Sequence, residues 1–265
     1  MMIADTAKKL KNEGIPFIPL FALAKNNGDK DFLTREYLPE DTIKYPNGNL
    51  GVSLKKWRKV CIDLDSDLAI YFGNKWLPAD TRIHGRKYPD GKKELTHWIF
   101  ENTTGLTENI KDRVGIADLL ADHSLVIWGT TLKKDTDIKL ERFWHNTTTP
   151  KPFNESILKL FNKICFASKI VEYNIGANMG ALKLDACIMR YCKDWSDEER
   201  ADFLFDITQK TDPDSKDCKI GKMRNHVRSN NKKIKNSGYN SFAKHIEANP
   251  QEILKLFEWV GDIPS

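Results

Sequence analysis

The six residues Val60-Cys61-Ile62-Asp63-Leu64-Asp65 carry more of the fold than any other stretch. Side chains of a strand alternate between its two faces. Val60, Ile62 and Leu64 are therefore expected to enter a core, while Asp63 and Asp65 share the opposite face. Two like charges that close oppose each other's ionisation. A hard divalent cation, Mg²⁺ or Mn²⁺, resolves the conflict because it prefers carboxylate oxygens. An Asp-x-Asp pair is also common as a plain polar strand end; here the apolar alternation stops abruptly at the acids, which favours the metal reading. Asp67 either extends the acidic row or caps the following helix, and the cap is the expectation. A third acid, Asp118, sits within Gly115-Ile116-Ala117-Asp118-Leu119-Leu120, where an unpaired buried carboxylate would be costly. Asp122 is its rival, in a more polar, turn-like context.

Outward from this strand the first half of the chain is dense in short apolar runs broken by turn residues. Ile15–Leu23, Leu50–Leu54, Leu95–Phe100 and Ser124–Trp128 read as further strands. Ala4–Asn12 and Asp67–Trp76 have helical spacing, ended by Gly14 and by Leu77-Pro78. Strands alternating with short helices predict an α/β or α+β domain. Asn146–Pro152 is a polar, proline-containing linker, and beyond it the periodicity becomes helical. Ile157, Leu160, Phe161, Ile164 and Cys165 keep 3/4 spacing, Ala181–Cys192 follows, and Ser196 with Glu199 forms a capping box. Lys219–Lys235, Asn240–Ala248 and Pro250–Val260 complete the helical part. The division predicts two domains, residues 1–150 and 151–265.

Composition narrows the function classes. A chain of 265 residues with 40% hydrophobic residues can bury a core, which excludes wholesale disorder. It has no apolar run of 18 residues and no apolar segment in its first residues, so neither a membrane span nor a signal peptide is expected and the default location is cytoplasmic. None of the five cysteines forms a C-x-x-C pair; free thiols and no zinc site are the expectation. A net charge of +5 is compatible with nucleic acid. Between the acids lies a basic stretch with Arg82, His84, Arg86, Lys87, Lys92 and Lys93, then a strand holding His97. A strand histidine is commonly structural, and Gly85–Lys93 could be a solvated hairpin tip. The position of His97 between two acidic elements points to function. Cations beside candidate metal ligands suit a triphosphate. The segment Lys219–Lys235 has Lys222, Arg224, Arg228, Lys232 and Lys233 among its cations and no acid, which suits phosphate backbones better than a merely solvated face. Trp195, Tyr239 and Phe242 are candidates for base stacking, with core roles favoured for Trp195 and Phe242.

In order, the chain shows Gly51-Val52, the Asp63/Asp65 strand, Leu77-Pro78, Thr81, Gly85-Arg86, the His97 strand, Asp118, and Leu125–Trp128 leading to Gly129-Thr130. This order resembles the bifunctional primase/polymerase (prim-pol) branch of the archaeo-eukaryotic primase superfamily, found in plasmids, phages and other mobile elements. The stretch Gly14-Ile15-Pro16-Phe17-Ile18-Pro19-Leu20 is similar to that family's opening strand. The resemblance implies an α+β fold: a two-lobed catalytic domain with an RRM-like palm over residues 1–150, then a small all-helical domain for template binding and primer initiation over 151–265. It implies that Asp63, Asp65 and Asp118 hold two divalent ions, that His97, Arg86 and Lys87 bind the incoming nucleotide, and that Thr130, in a turn after the last strand, does so too. Two residues before the histidine the family carries a small hydroxyl residue; here that place is Leu95, with Thr96 adjacent.

The implied activity is template-directed nucleotidyl transfer on single-stranded DNA, with dNTPs or NTPs as substrates. A replicative helicase, as another domain or a separate protein, is an implied partner; a membrane is not. Three rivals stand beside it. A D-x-D glycosyltransferase explains Asp63 and Asp65 but not His97, Asp118 or the basic tail. A carboxylate-metal nuclease explains the acids. A replication-initiator or template-binding module needs no catalysis.

Overall fold

The computed structural model describes residues 3–28, 30–111, 113, 115–133, 135–232 and 238–261. The chain is mixed α+β and divides into two units, Met1–Phe161 and Asn162–Ser265. The first unit runs α1 (Ile3–Asn12), β1 (Phe17–Leu20), a 3₁₀ turn (Pro39–Lys44), β2 (Asn49–Ser53), the single turn α2 (Leu54–Trp57), β3 (Lys59–Leu64), α3 (Asp67–Trp76), β4 (Arg82–Lys87), β5 (Lys93–Glu101), β6 (Ala117–Leu120), β7 (Ser124–Leu132) and β8 (Lys139–Asn146). The helix α4 (Glu155–Glu172) begins in this unit and continues into the second. The eight strands form one curled sheet in the order β1-β2-β7-β8-β4-β5-β3-β6, and each pairing between neighbours is antiparallel.

β3 behaves as its alternation predicts on one face: Val60, Ile62 and Leu64 are all buried. The other face is buried in part as well. Cys61 belongs to the apolar cluster with Leu50, Val52, Ile99, Leu120 and Ile127, so the strand turns polar only at Asp63. On α3, Ala69, Ile70 and Phe72 are buried. Its N-cap is Ser66, whose Oγ accepts from the Ala69 amide at 3.1 Å. Asp67 is thus not the cap; it is the acid of the first turn, where the helix dipole favours it.

Besides β6, which holds Asp118, two strands stand where the sequence reading had none. Gly85–Lys87 belong to β4, and the hairpin tip is confined to Tyr88–Lys92, where the Tyr88 amide donates to the Lys92 carbonyl at 2.8 Å. β8 takes Asn146, the first residue of the expected linker. The apolar alternation that marks a strand is absent from both because charged pairs take its place. Lys87 and Glu141 face each other across β4 and β8.

The second unit continues with a π turn (Gly176–Gly180), α5 (Ala181–Tyr191), α6 (Asp197–Thr211), α7 (Ile220–Asn231), α8 (Tyr239–His245) and α9 (Pro250–Glu258), with no strand among its described residues. The capping box is present: Ser196 Oγ accepts from the Glu199 amide at 3.2 Å and Glu199 accepts from the Ser196 amide at 2.8 Å. Among the described residues no helix is long and apolar enough to cross a membrane. All five cysteines are buried free thiols.

Candidate active site

The strand register gathers the residues that the sequence scattered. Asp63 on β3 stands opposite His97 on β5 and opposite Asp118 on β6, and His97 stands opposite His84 on β4. Cross-strand partners share a face. His84, His97, Asp63 and Asp118 therefore form one polar row across four strands, next to the apolar row of Ile99, Cys61 and Leu120. His97 Nε2 lies 3.1 Å from Asp63 Oδ1. Asp65 follows the last residue of β3, and its amide donates to the Ile116 carbonyl at 2.9 Å, which carries the β3–β6 pairing on to the second acid.

Electrostatics separate the three acids. Burial pushes the Asp63 carboxyl upward, but the charge and hydrogen bond of His97, helped by Arg142 and Lys25, outweigh it and hold the group below the ordinary carboxylate range. Asp65 goes the other way: desolvation, then the charges of Asp63 and Asp118, push it up to about 6 against the pull of Arg86 and Lys25. Asp118 is raised too, by burial first and by Asp63, against Lys111. Among the described residues neither Asp65 nor Asp118 has an ion-pair partner. Nor do three His, Cys, Asp or Glu side chains stand ready-gathered as a metal cluster. The donor set nevertheless fits a hard divalent cation in kind: three carboxylates, no thiolate, and mutual repulsion that added positive charge relieves.

Arg86 stands in register with Glu94 and with Arg142, in the row beside the histidines. Its Nε donates to Glu94 Oε2 at 2.7 Å, and Tyr88 and Lys92 bind the same buried carboxylate. Burial raises Glu94, and hydrogen bonds from Lys92, Arg86 and Tyr88 more than reverse it. Lys87 alternates onto the opposite face, paired with Glu141 at 3.4 Å. Thr130 is on that face also, in register with Glu141. It is not in a turn after the last strand, because β7 runs on to Leu132 and pairs there with β8. Gly129, at φ +99°, bends the strand without ending it. A side chain there would collide with Asn49, which holds Thr130 by accepting from its amide and donating to its carbonyl, both at 2.9 Å. Lys87 and Thr130 line a cleft of about 690 Å³ together with Asn49, Tyr88, Lys139 and Arg142.

Arg142 is the residue that sequence reading missed. It lines the cleft, and it also acts on Asp63 by charge, so it belongs to both halves of the site. Burial lowers its guanidinium to about 10, which leaves a cation at neutral pH. No local pattern marks it: its place depends on β8 joining β7 to β4. The sequence marks Thr96 only as the neighbour of His97, and its place too is set by the sheet. Between His84 and Gly85 the register with β5 shifts by one residue, and Thr96 is the residue left over. Neighbours on a regular strand point to opposite faces, and a bulge re-aims them. Thr96 Oγ1 comes to lie 2.9 Å from His97 Nδ1, so the hydroxyl adjacent to the histidine reaches it.

On α7 the side chains of Met223, His226, Val227 and Asn230 are buried. Lys222 pairs with Asp217 at 3.5 Å and Arg224 approaches Glu198 at 3.9 Å. Arg228 and Lys232 are exposed, and Lys233 lies outside the described residues. The helix ends at Asn231, short of the expected Lys235. Phe242 is fully buried, while Trp195 packs edge-on against Phe203 at 5.1 Å with Lys163 over its ring. No family model and no curated protein matches the chain.

Proposed function

We propose that the chain is a DNA primase/polymerase that carries out metal-dependent, template-directed nucleotidyl transfer on single-stranded DNA. The observation that carries the reading is the polar row itself. Asp63, His97 and Asp118, far apart in sequence, meet in register on adjacent strands, with Asp65 at the end and Arg86 and Arg142 beside them. The order β4-β5-β3-β6 with α3 after β3 supports an RRM-like palm, in which the described residues between β5 and β6, none of them helical, stand where such a fold carries its second helix.

Asp63, Asp65 and Asp118 would hold Mg²⁺ or Mn²⁺. Bound there, the ions supply Lewis-acid activation of a 3′-hydroxyl and neutralise charge on the leaving pyrophosphate. The protein's own groups do the positioning. Arg86, fixed by Glu94, and Arg142 present two guanidinium groups to phosphate oxygens, and guanidinium suits that ligand through paired donors. His97, held between Asp63 and His84, offers a donor at the same row. The cleft beside Arg142 takes the remainder of the nucleotide, with Lys87 and Thr130 on its wall. Arg228 and Lys232 give the second unit cations for a template backbone, and base pairing rather than the protein reads the sequence.

The test is incorporation of labelled dNTP or NTP on circular single-stranded DNA without primer, in Mg²⁺ and Mn²⁺. The wild type is expected to make product. Asp63→Ala/Asp65→Ala is expected to lose at least about 10³-fold of the rate. Product at wild-type rate from the variant would sink the site assignment. No product from the wild type, even on an annealed primer, would sink the polymerase reading in favour of a nuclease or a template-binding module.

A further inference from the structure

His84 is wholly buried on β4 and bridges from the backbone of β7 to His97 on β5. Its Nε2 lies 3.1 Å from the carbonyl oxygen of Ile127 on β7, and its Nδ1 lies 3.2 Å from Nδ1 of His97. The indole of Trp144 meets its ring edge-on at 5.0 Å. Ile127 sits where the β2–β7 register shifts, between the pairs Gly51–Val126 and Leu50–Trp128.

The proton positions follow from donor chemistry and from the burial of His84. A carbonyl oxygen only accepts, so His84 Nε2 carries a proton. Burial, then the nearby charges of His97 and Arg142, hold His84 far below the ordinary imidazole range, so its ring is neutral and has that one proton. His84 Nδ1 is then a lone pair and can only accept. The group facing it, His97 Nδ1, must donate. Thr96 Oγ1, at 2.9 Å from that nitrogen, accepts equally well. His97 Nε2 is left as the nitrogen that faces Asp63.

We propose that His84 is a positioning residue: anchored on the Ile127 carbonyl and accepting from Nδ1 of His97, it fixes the proton on that nitrogen and holds the His97 ring with Nε2 turned to Asp63 and the substrate side. The inference rests on the reading of His97 as a residue that faces substrate. A second-tier partner of this kind fixes both the tautomer and the orientation of the histidine it holds.

Nitrogen-15 NMR of the full chain with labelled imidazoles, recorded without substrate at neutral pH, tests it. The expected spectrum shows His84 protonated on Nε2 alone, His97 protonated on Nδ1, and a scalar coupling across the N–H···N bond between the two Nδ1 atoms. His84 protonated on Nδ1, or His97 with a bare Nδ1, overturns the proposal. His84→Phe is expected to abolish the coupling, shift the His97 nitrogens and lower kcat for incorporation roughly tenfold with little change in nucleotide KM. His84→Asn, whose Oδ1 can accept in place of the lost nitrogen, is expected to keep the proton on His97 Nδ1. If the Phe variant leaves the His97 nitrogens as in the wild type, the proposal fails. The spectrum needs no activity: an inactive wild type that shows the coupling counts against the polymerase reading alone, and an active one without it counts against this inference alone.

Discussion

Two charge networks, one in each unit, end in opposite ways. In the helical unit, Asp185 is fully buried and Arg200 nearly so. Arg200 Nε lies 3.5 Å from Asp185, and its Nη2 donates to Asp197 at 3.0 Å and to Asn231 at 2.6 Å. Asn230 donates to Asp185 at 2.7 Å and Asn231 to Asp197 at 2.7 Å, so α5, α6 and α7 are tied by a set that closes on itself. In the sheet unit the chain of contacts runs Ile127, His84, His97, Asp63 and then stops beside Asp65 and Asp118, which have no cation in contact among the described residues. A closed set of this kind specifies how helices pack. An open one leaves repulsion stored at its end, and stored repulsion is a feature of sites that await a ligand.

The comparison breaks first if the closed network is not structural. Arg200→Ala leaves Asp185 buried without its cation and is expected to cost about 3–5 kcal/mol in urea unfolding. A loss below about 1 kcal/mol would place it with ordinary surface pairs. The second effect belongs to the open network. Mn²⁺ at a hundred times its Kd is expected to stabilise the wild type by about 2.7 kcal/mol, read as a rise in Tm, and to leave Asp63→Ala/Asp65→Ala unmoved. An equal rise in both proteins would show the ion bound elsewhere.

A smaller effect sharpens the contrast through pH. The Asp65 carboxyl is raised to about 6 in the folded chain against an ordinary value of 3.8. The folded state therefore binds its proton more tightly than the unfolded one. The resulting destabilisation is absent below pH 3.8, grows between 3.8 and about 6, and is complete above that. Asp65→Asn is expected to match the wild type in Tm near pH 4 and to exceed it at pH 7.5, while losing incorporation. A Tm below the wild type at both pH values would mean that Asp65 is paired after all. The smallest effect is on α7. Arg228→Ala is expected to reduce the salt slope of single-stranded DNA binding by about 0.7, and Lys222→Ala by less, since Asp217 already engages Lys222. Equal slopes for the two would show that the ion pair is irrelevant to binding.

What could be read from residues alone was local. β3 and α3 follow from alternation and from Leu77-Pro78, although the cap expected at Asp67 is Ser66, and the capping box at Ser196 was legible because both partners lie within one turn. β4 and β8 were not, because on strands such as Arg82–Lys87 the signal is carried by Glu94 and Glu141, whose pairing with Arg86 and Lys87 needs the sheet order. The acids and His97 could be chosen as candidates; that they share one row depends on register. His84 was visible as a histidine in a basic stretch, but its hold on His97 depends on where β5 gains a residue.

That extra residue makes β5 two segments of opposite phase in series. On one side of Thr96, His97 and Ile99 look toward the acids; on the other, Glu94 does, although it is an odd number of positions from His97. Were β5 to run regularly with Thr96 kept in the ladder, Leu95 would stand opposite Arg86, Glu94 would rotate to the far side of the sheet and Arg86 would lose the carboxylate that anchors it. Deleting Thr96 instead would keep Glu94 opposite Arg86 and on the face of His97, and would take from His97 the hydroxyl at its Nδ1. The frame of the site is counted in residues as well as held by contacts.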